Sequence, residues 1–166
     1  NVEHLAAGSF DLVLMSESCQ YINPHLGWQQ SQRLVRNGGY VLIADFFRIR
    51  EIDQPHISKS GHDLEQFKAV AAEHGFKLIK EKDITEQTAP TMELYQSTIL
   101  TYIFPIAEAI FELMRRQIPF LYRILSFFLK KKVMKLHAKY SSQGPEVWQQ
   151  YKRYTIMLYQ KTARST

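Results

Sequence analysis

Two short polar stretches, each directly after an apolar run, are the places in this chain where side chains could do chemistry. Ser16, Glu17 and Ser18 follow the run FDLVLM, and Asp45 follows the run YVLIA. A carboxylate such as Glu17 can accept a proton or stabilise a developing positive charge, with capping of the loop as the alternative role. Ser16 and Ser18 are expected to make loop hydrogen bonds, because no serine–histidine pair stands at a nucleophile-elbow motif.

The two apolar runs are predicted to be neighbouring strands. Both are short and bounded by turn-forming residues, as expected for central strands of a parallel sheet covered on both faces. Between them, apolar positions at helical spacing follow Pro24, and the glycine pair at 37–39 indicates a left-handed helix stop. In such a βαβ unit, ligands bind beyond the carboxyl ends of the strands. Glu17 and Asp45 are therefore predicted to share one functional rim.

Other residues near this rim have both a chemical and a structural interpretation. Phe46 and Phe47 could form a pocket wall, or Asp45 could cap the next turn while Phe47 packs in the core. His25 is the second candidate base, and His62 is a further loop histidine that could be a base. For both, the alternative is a solvent-exposed loop histidine without a chemical role. Cys19, the single cysteine, is expected to be a small buried residue. No residue spacing resembles a metal site, so no metal is predicted.

The remainder of the chain is predicted to add a helix, two strands and a helical insertion. Asp63 and Gln66 form a plausible capping box for a helix that stops at Gly75. The segment 76–84 is predicted to be a half-exposed strand, with 154–159 as its antiparallel partner. Between these strands, two helices are expected, and their ranges are 94–116 and 118–140.

Charge is concentrated in the second of these helices. The net charge is +5, yet residues 115–139 hold eight Lys or Arg and no acidic residue, while the rest of the chain is net −3. Large apolar residues alternate with these cations, which indicates a solvated basic helix, a lid, or a helix resting on an anionic membrane. Nucleic acid is not expected as a partner. Pro105, Glu108, Glu112 and Arg123 are expected to prevent either helix from spanning a bilayer.

Several phrases in the chain resemble the second half of a class I S-adenosylmethionine-dependent methyltransferase domain. They are FDLVLMSESCQYI, RLVRNGGYVLIADFF, HDLEQFKAVAAEHGFKLIKEKDIT and YKRYTIMLYQKT, in the family's order. The resemblance implies an α/β, Rossmann-like methyltransferase sheet with an antiparallel last strand. It implies a single partial domain over 1–166, with a helical insertion or lid at 92–150. The expected cofactor is S-adenosylmethionine, and the expected partner is a small, apolar methyl acceptor.

The resemblance also implies roles for individual residues. The cofactor-binding candidates are Asn1, Val2, Ser16, Glu17 and Ser18; the acceptor-pocket candidates are Tyr21, Asp45, Phe46 and Phe47; the catalytic candidates are Glu17 and His25. The family's glycine-rich loop and ribose-binding acid belong to earlier strands, and neither motif occurs in these 166 residues. The chain therefore reads as a C-terminal fragment, and we expect it to bind the cofactor weakly or not at all.

Two other functions stay open at this point. A Rossmann oxidoreductase is disfavoured, since there is neither a dinucleotide fingerprint nor a Tyr-x-x-x-Lys pair. A non-catalytic, membrane-surface binding module on a degenerate methyltransferase fold is the alternative from another class. The default location is the cytoplasm, with peripheral contact to a membrane as a variant.

Overall fold

The computed structural model describes residues 2–53, 58–141 and 145–162, and it contains one mixed sheet. The strands are β1 (Phe10–Ser16), β2 (Val35–Arg48), β3 (Phe76–Asp83) and β4 (Lys152–Lys161). Their order in the sheet is β1-β2-β4-β3. β1 and β2 run parallel, and β4 lies antiparallel to both of its neighbours. The predicted fold class and the antiparallel last strand are thus confirmed.

Six helices complete the described part of the chain. They are α1 (Pro24–Leu34), α2 (Leu64–Glu73), α3 (Thr85–Thr98), α4 (Phe104–Gln117), α5 (Pro119–Ser141) and α6 (Pro145–Tyr151). A π-helical segment, Ile99–Ile103, joins α3 to α4, so the first helix, predicted over 94–116, begins earlier, at Thr85. The break at Pro119 is confirmed, because Pro cannot continue the hydrogen-bond ladder of the preceding helix.

The core lies between the sheet and the two helices α1 and α2. Trp28 of α1 is fully buried, with its ring centroid 4.8 Å from that of Tyr159 and 4.9 Å from that of Phe76. Phe47 and Phe67 join the same cluster at 5.0 Å. Aromatic pairs at these separations contribute about 0.5–1.5 kcal/mol beyond their burial. This cluster fixes the βαβ unit and, with it, the loops at the carboxyl ends of β1 and β2.

α1 and α2 begin as the sequence indicates, but α1 ends differently. Asp63 Oδ1 accepts a hydrogen bond from the Gln66 backbone N–H at 2.9 Å, as predicted for the cap of α2. α1 instead stops at Leu34, because Val35 is already extended with φ −77° and ψ 133°. The predicted left-handed helix stop at 37–39 is therefore wrong: these residues belong to β2.

The glycine pair serves the close approach of β1 and β2. Gly38 has φ +75°, a conformation that costs Gly little, and the register of the two strands shifts at this point. A Cβ on Gly39 would lie 2.7 Å from Val35 Cγ1 and 2.8 Å from the Asp11 carbonyl oxygen. A side chain at position 39 would therefore push the strands apart.

β1 is an edge strand with one face uncovered in the described part of the chain. Leu14 is 62% exposed, and Leu12 is exposed beside it, whereas Val13 and Met15 pack against the core. The prediction that both faces of this strand are covered is wrong for the described residues. An exposed edge that carries apolar side chains is a template for pairing with another strand.

The chain divides into two compact units. The first, the sheet unit, comprises Asn1–Glu51, Lys59–Thr85 and Tyr151–Thr166, and the second, the helical unit, comprises Ile52–Ser58 and Glu86–Gln150. Within the helical unit, α4 packs on α5 through Phe104 against His137 at 4.9 Å and Phe111 against Tyr122 at 6.5 Å.

One continuous helix, Thr85–Gln117, is long and apolar enough to cross a membrane, and its apolar window is 6% buried. Between Glu93 and Glu112, Glu108 is its single charged residue. The expectation that Pro105, Glu108 and Glu112 rule out such a span does not hold, since the helix continues through Pro105. Length and composition alone are weak evidence for a span.

Candidate functional site

The loop after β1 holds the candidate site, and its backbone is unusual at Glu17. Glu17 has φ +51°, and it is the one non-glycine residue with positive φ in the part of the chain described. Its backbone N–H donates to the Ala44 carbonyl at 2.9 Å, which ties the loop to the end of β2. A non-glycine residue in this region costs roughly 1–3 kcal/mol, and such residues cluster at functional sites. The strained residue is therefore the predicted catalytic carboxylate itself.

The Glu17 side chain has a partner from the other end of the chain. The Tyr154 hydroxyl of β4 donates a hydrogen bond to Glu17 Oε1. Burial, followed by this bond to Glu17, raises the pKa of the Tyr154 phenol. Tyr154 therefore stays protonated at neutral pH and donates a hydrogen bond to Glu17 Oε1. The Glu17 side chain is exposed, so its second carboxyl oxygen can accept from another ligand.

Asp45 anchors the loop from below. It is 0% exposed, and its carboxylate accepts four hydrogen bonds: from Cys19 Sγ at 3.1 Å, Gln20 N at 3.3 Å, Gln20 Nε2 at 3.4 Å and Phe46 N at 2.9 Å. Burial, and then the charge of Asp45, raise the pKa of the Cys19 thiol. The structure thus places Asp45 under the loop as its anchor and not on the wall of an acceptor pocket. Cys19 is buried, as predicted.

His62 holds the same loop from the side. Its Nε2 lies 2.9 Å from the carbonyl oxygens of both Cys19 and Ile22. Because both oxygens are acceptors, this nitrogen carries the proton and donates hydrogen bonds to them. Its ring stacks on Phe67 with an interplanar angle of 10°. The solvent-exposed loop histidine expected here is in fact a half-buried support of the 3₁₀ turn Cys19–Tyr21.

The aromatic candidates separate according to the face on which they lie. Tyr21 is 81% exposed at the end of the 3₁₀ turn, so its ring does not pack in the core. Phe46 is half-buried and pairs across the sheet with Tyr154, so it lies beside the Glu17–Tyr154 contact. Phe47 points to the opposite face and is fully buried in the core. The pocket-wall interpretation is therefore excluded for Phe47, because successive strand residues face opposite sides.

Two remaining candidates lie away from this loop. Arg33 Nη2 donates a hydrogen bond to the Val2 carbonyl at 2.8 Å. Arg33 lies just before the start of β2, so Val2 is at the amino end of the parallel strands. This position argues against Val2 as a cofactor ligand at the rim, which lies at their carboxyl ends. Asn1 lies outside the described residues. His25 lies in α1, with Nδ1 4.0 Å from Glu73 and its ring 5.9 Å from that of His74, at the end of α2. These contacts place it with α2, and none joins it to Glu17.

Ser16 and Ser18 flank Glu17 as the sequence places them. Ser16 ends β1 and is exposed, and the Ser18 carbonyl accepts from the Tyr21 N–H at 3.2 Å. No group of three or more His, Cys, Asp or Glu residues that could hold a metal ion is found among the residues described. The donor set at this rim is thus a carboxyl, a phenol, two hydroxyls and an exposed aromatic ring. These groups can accept a proton and orient a small organic molecule.

Sequence reasoning missed Tyr154 as part of the site, and it named His62 as a possible base or an exposed loop residue, not as a support of the loop. Tyr154 read as an ordinary strand residue, since nothing near it in sequence points to chemistry, and its partner is 137 positions away. The signal that could have found it is its register: once β4 is aligned beside β2, Tyr154 stands opposite Phe46 at the carboxyl end of the parallel pair.

Comparison with known proteins places this arrangement in a fold. No family model and no curated protein matches the sequence. Among solved structures, Haemonchus contortus phosphoethanolamine N-methyltransferase 2 is 16% identical with a TM-score of 0.59, over 96% of this chain and 35% of that one. Geranyl diphosphate C-methyltransferase from Streptomyces coelicolor is 12% identical, with a TM-score of 0.58, over 96% and 49%. The [4+2]-cyclase SpnF is 16% identical, with a TM-score of 0.59, over 96% and 52%.

The fold is therefore that of class I S-adenosylmethionine-dependent methyltransferases. The chain spans about half or less of the length of these structures. In this chain the sheet contains a parallel pair, β1 and β2, and the antiparallel last strand β4 lies between β2 and β3. Because the identities are low, the likeness establishes the fold, while activity has to be argued from the site.

Proposed function

We propose that this chain is the acceptor side of an S-adenosylmethionine-dependent methyltransferase that acts on a small, apolar acceptor. The observation that carries the proposal is Glu17, which sits in a strained backbone conformation at the carboxyl end of β1 with its carboxyl held by Tyr154. A strained backbone conformation at one exposed carboxylate, in a loop that hydrogen bonds hold from two sides, is typical of a catalytic residue. Asp45 and His62 are those anchors.

Glu17 would act on the acceptor. Methyl transfer is an in-line displacement, and much of its acceleration comes from alignment of the nucleophile, worth about 7–11 kcal/mol. A base is needed when the acceptor loses a proton near the transition state. Glu17 would take that proton or stabilise the developing positive charge. Tyr154 holds the carboxyl in one orientation, because its raised pKa keeps it a hydrogen-bond donor.

The residues present fit one side of a site for S-adenosylmethionine, which supplies the methyl group when bound. Ser16, Glu17 and Ser18 offer hydroxyl and carboxyl groups at the carboxyl end of a parallel strand, where ligands of such sheets bind. The solved neighbours include structures with S-adenosylmethionine or S-adenosylhomocysteine bound. The glycine-rich loop and the ribose acid do not occur in residues 1–166. This chain would then contribute the part of the site nearest the methyl group.

An apolar acceptor is favoured by the aromatic groups next to Glu17. Tyr21 is exposed, and Phe46 lies beside Tyr154 on the face of the sheet opposite the core. Flat aromatic surfaces next to a few polar groups are characteristic of small-molecule sites. One structural neighbour is named for geranyl diphosphate, whose geranyl chain is apolar and whose diphosphate is charged. Another is named for phosphoethanolamine, so the fold alone does not decide between apolar and polar acceptors.

The proposal is tested by methyl transfer from radiolabelled S-adenosylmethionine to a panel of isoprenoid, polyketide-like and amine acceptors. The assay uses the polypeptide as it occurs in the cell. Glu17→Gln keeps the size of the side chain and removes the base, and we expect kcat to fall by about 100-fold or more. Tyr154→Phe leaves Glu17 unoriented, and we expect a fall in kcat of roughly tenfold with little change in KM.

Glu65→Gln is the matched control, since Glu65 is exposed in α2 and pairs with Lys68 at 3.2 Å. The control should leave kcat unchanged. If Glu17→Gln also retains kcat within about twofold, Glu17 is not the catalytic group and the proposal for it is lost. The label must be followed into product, because one structural neighbour is named as a [4+2]-cyclase. Acceptor conversion without label transfer would favour that second class of reaction.

A further inference from the structure

The outward-facing side of α5 carries a stripe of apolar residues in open solvent. Phe120 is 76% exposed and Phe127 is 79% exposed, and Ile124 and Phe128 are exposed between and beside them. Phe120, Ile124 and Phe127 follow the i, i+4, i+7 spacing of one helix face. Leu125 and Leu129 are half-buried and lie on the other face. The helix is therefore apolar on both sides, although only one side packs against protein in the described chain.

Cations continue the same stripe toward the end of the helix. Lys131 and Lys135 are exposed at the next positions of the outer face, with Lys132 beside them and Arg123 at its other edge. None of these four has a carboxylate partner among the residues that the structure describes. An unpartnered cluster of this kind gives α5 a local positive field.

Nearby basic residues do not share this property. Arg115 Nη2 lies 2.7 Å from Glu112 Oε1 and Arg116 Nε lies 2.9 Å from the same oxygen. These bonds lower the pKa of the Glu112 carboxyl to about 2, so Glu112 stays ionised and bonded to both Arg115 and Arg116. The described cations of the basic segment 115–139 that can bind an external anion are therefore those of α5.

We propose that the outer face of α5 docks on an anionic lipid bilayer, independently of the methyl-transfer proposal. Phe120, Ile124 and Phe127 would insert at the boundary between headgroups and acyl chains. Lys131, Lys132 and Lys135 would lie at the anionic headgroups. Amphipathic helices bind membranes through this combination of buried apolar area and attraction to anionic lipid. Charge complementarity selects a bilayer surface over an apolar protein groove, which would leave the lysines without partners.

The test is co-sedimentation of the full 166-residue chain with phosphatidylcholine vesicles, with and without phosphatidylserine. We expect binding to the phosphatidylserine vesicles, weakened by added salt. Lys131→Glu/Lys135→Glu should lower the partition coefficient by roughly tenfold or more, given the contribution of each basic residue near an anionic surface. Phe127→Ser should lower it by about fivefold or more, because one large apolar side chain no longer inserts.

Two control variants carry the same chemical changes at other exposed positions. Lys80→Glu/Lys82→Glu makes the same change of charge on β3, and Ile79→Ser removes an exposed apolar side chain from the same strand. Both should bind as the wild type does, and circular dichroism verifies that every variant stays folded. Equal binding to neutral and anionic vesicles would overturn the proposal. So would equal losses in the control variants, or association that resists salt and alkaline carbonate, since the last would indicate a helix that spans the bilayer.

Discussion

Replacement of Asp45 by Asn gives the sharpest test of how the site loop is held. The carboxylate accepts from Cys19 Sγ and Gln20 N through Oδ2, and from Gln20 Nε2 and Phe46 N through Oδ1. An Asn amide has one acceptor oxygen and one NH₂ group. Whichever way it turns, the NH₂ faces two donors and leaves them without an acceptor.

The expected cost follows from these contacts. Each buried donor that loses its partner costs about 1–3 kcal/mol, and the neutral amide recovers part of this because it avoids burying a charge. We therefore expect Asp45→Asn to lower the free energy of unfolding by about 2 kcal/mol or more. Urea denaturation followed through the fluorescence of a Trp148→Phe background measures this, because the remaining tryptophan, Trp28, is fully buried in the core.

Cys19 supplies an independent readout of the same perturbation. It is the single cysteine, it is buried, and its pKa is raised by burial and by Asp45. In the variant the loop opens more often and the thiolate forms more readily, so labelling by a disulfide reagent should accelerate. An opening free energy lower by about 2 kcal/mol corresponds to a rate roughly 30-fold higher when opening is in equilibrium.

Asp11→Asn is the matched control. Asp11 is an exposed Asp of β1 that pairs with Arg36, and exposed pairs contribute about 0–1 kcal/mol. This variant should leave the labelling rate of Cys19 unchanged. It should lower the free energy of unfolding by no more than about 1 kcal/mol. The reasoning is refuted if Asp45→Asn destabilises no more than Asp11→Asn does and leaves Cys19 unreactive.

Further predictions concern the strands and the cofactor. Because the pKa of Tyr154 is raised in the folded state, its contribution to stability should be full below the ordinary tyrosine pKa of about 10 and fall as pH rises above it. Tyr154→Phe should reduce this loss of stability in urea titrations at about pH 9 to 12. An unchanged loss would contradict the prediction. Gly39→Ala should cost about 1–3 kcal/mol through its clash with the Asp11 carbonyl of β1. Gly27→Ala in α1, whose Cβ would lie 3.2 Å from Cγ2 of the exposed Ile22, should cost less, as thermal unfolding would reveal. Leu14→Lys on the exposed edge strand should lower any self-association seen by analytical ultracentrifugation; equal association would exclude that edge as the contact. Calorimetric titration of the chain with S-adenosylmethionine should show weak or no binding, and tight binding would refute our placement of the cofactor loop outside these residues.

Local patterns in the sequence were sufficient for the order of elements. The apolar runs and the Asp63 cap depend on neighbouring residues, and the antiparallel last strand follows from the resemblance to the methyltransferase family; each is confirmed. The end of α1 was predicted wrongly, because glycines that look like a helix stop are needed where β1 and β2 approach each other. That requirement comes from a strand remote in sequence, which local chemistry does not reveal.

The sequence by itself determined the methyltransferase-like fold and placed Glu17 at the functional rim. Only the tertiary structure decided what surrounds Glu17: Tyr154 beside it, Asp45 and His62 beneath and beside its loop, and Phe46 on its face while Phe47 enters the core. The physical reason is that strand alternation and order along the chain are local properties. Hydrogen bonds between residues more than a hundred positions apart, such as that of Tyr154 with Glu17, form only when the sheet brings β4 next to β2.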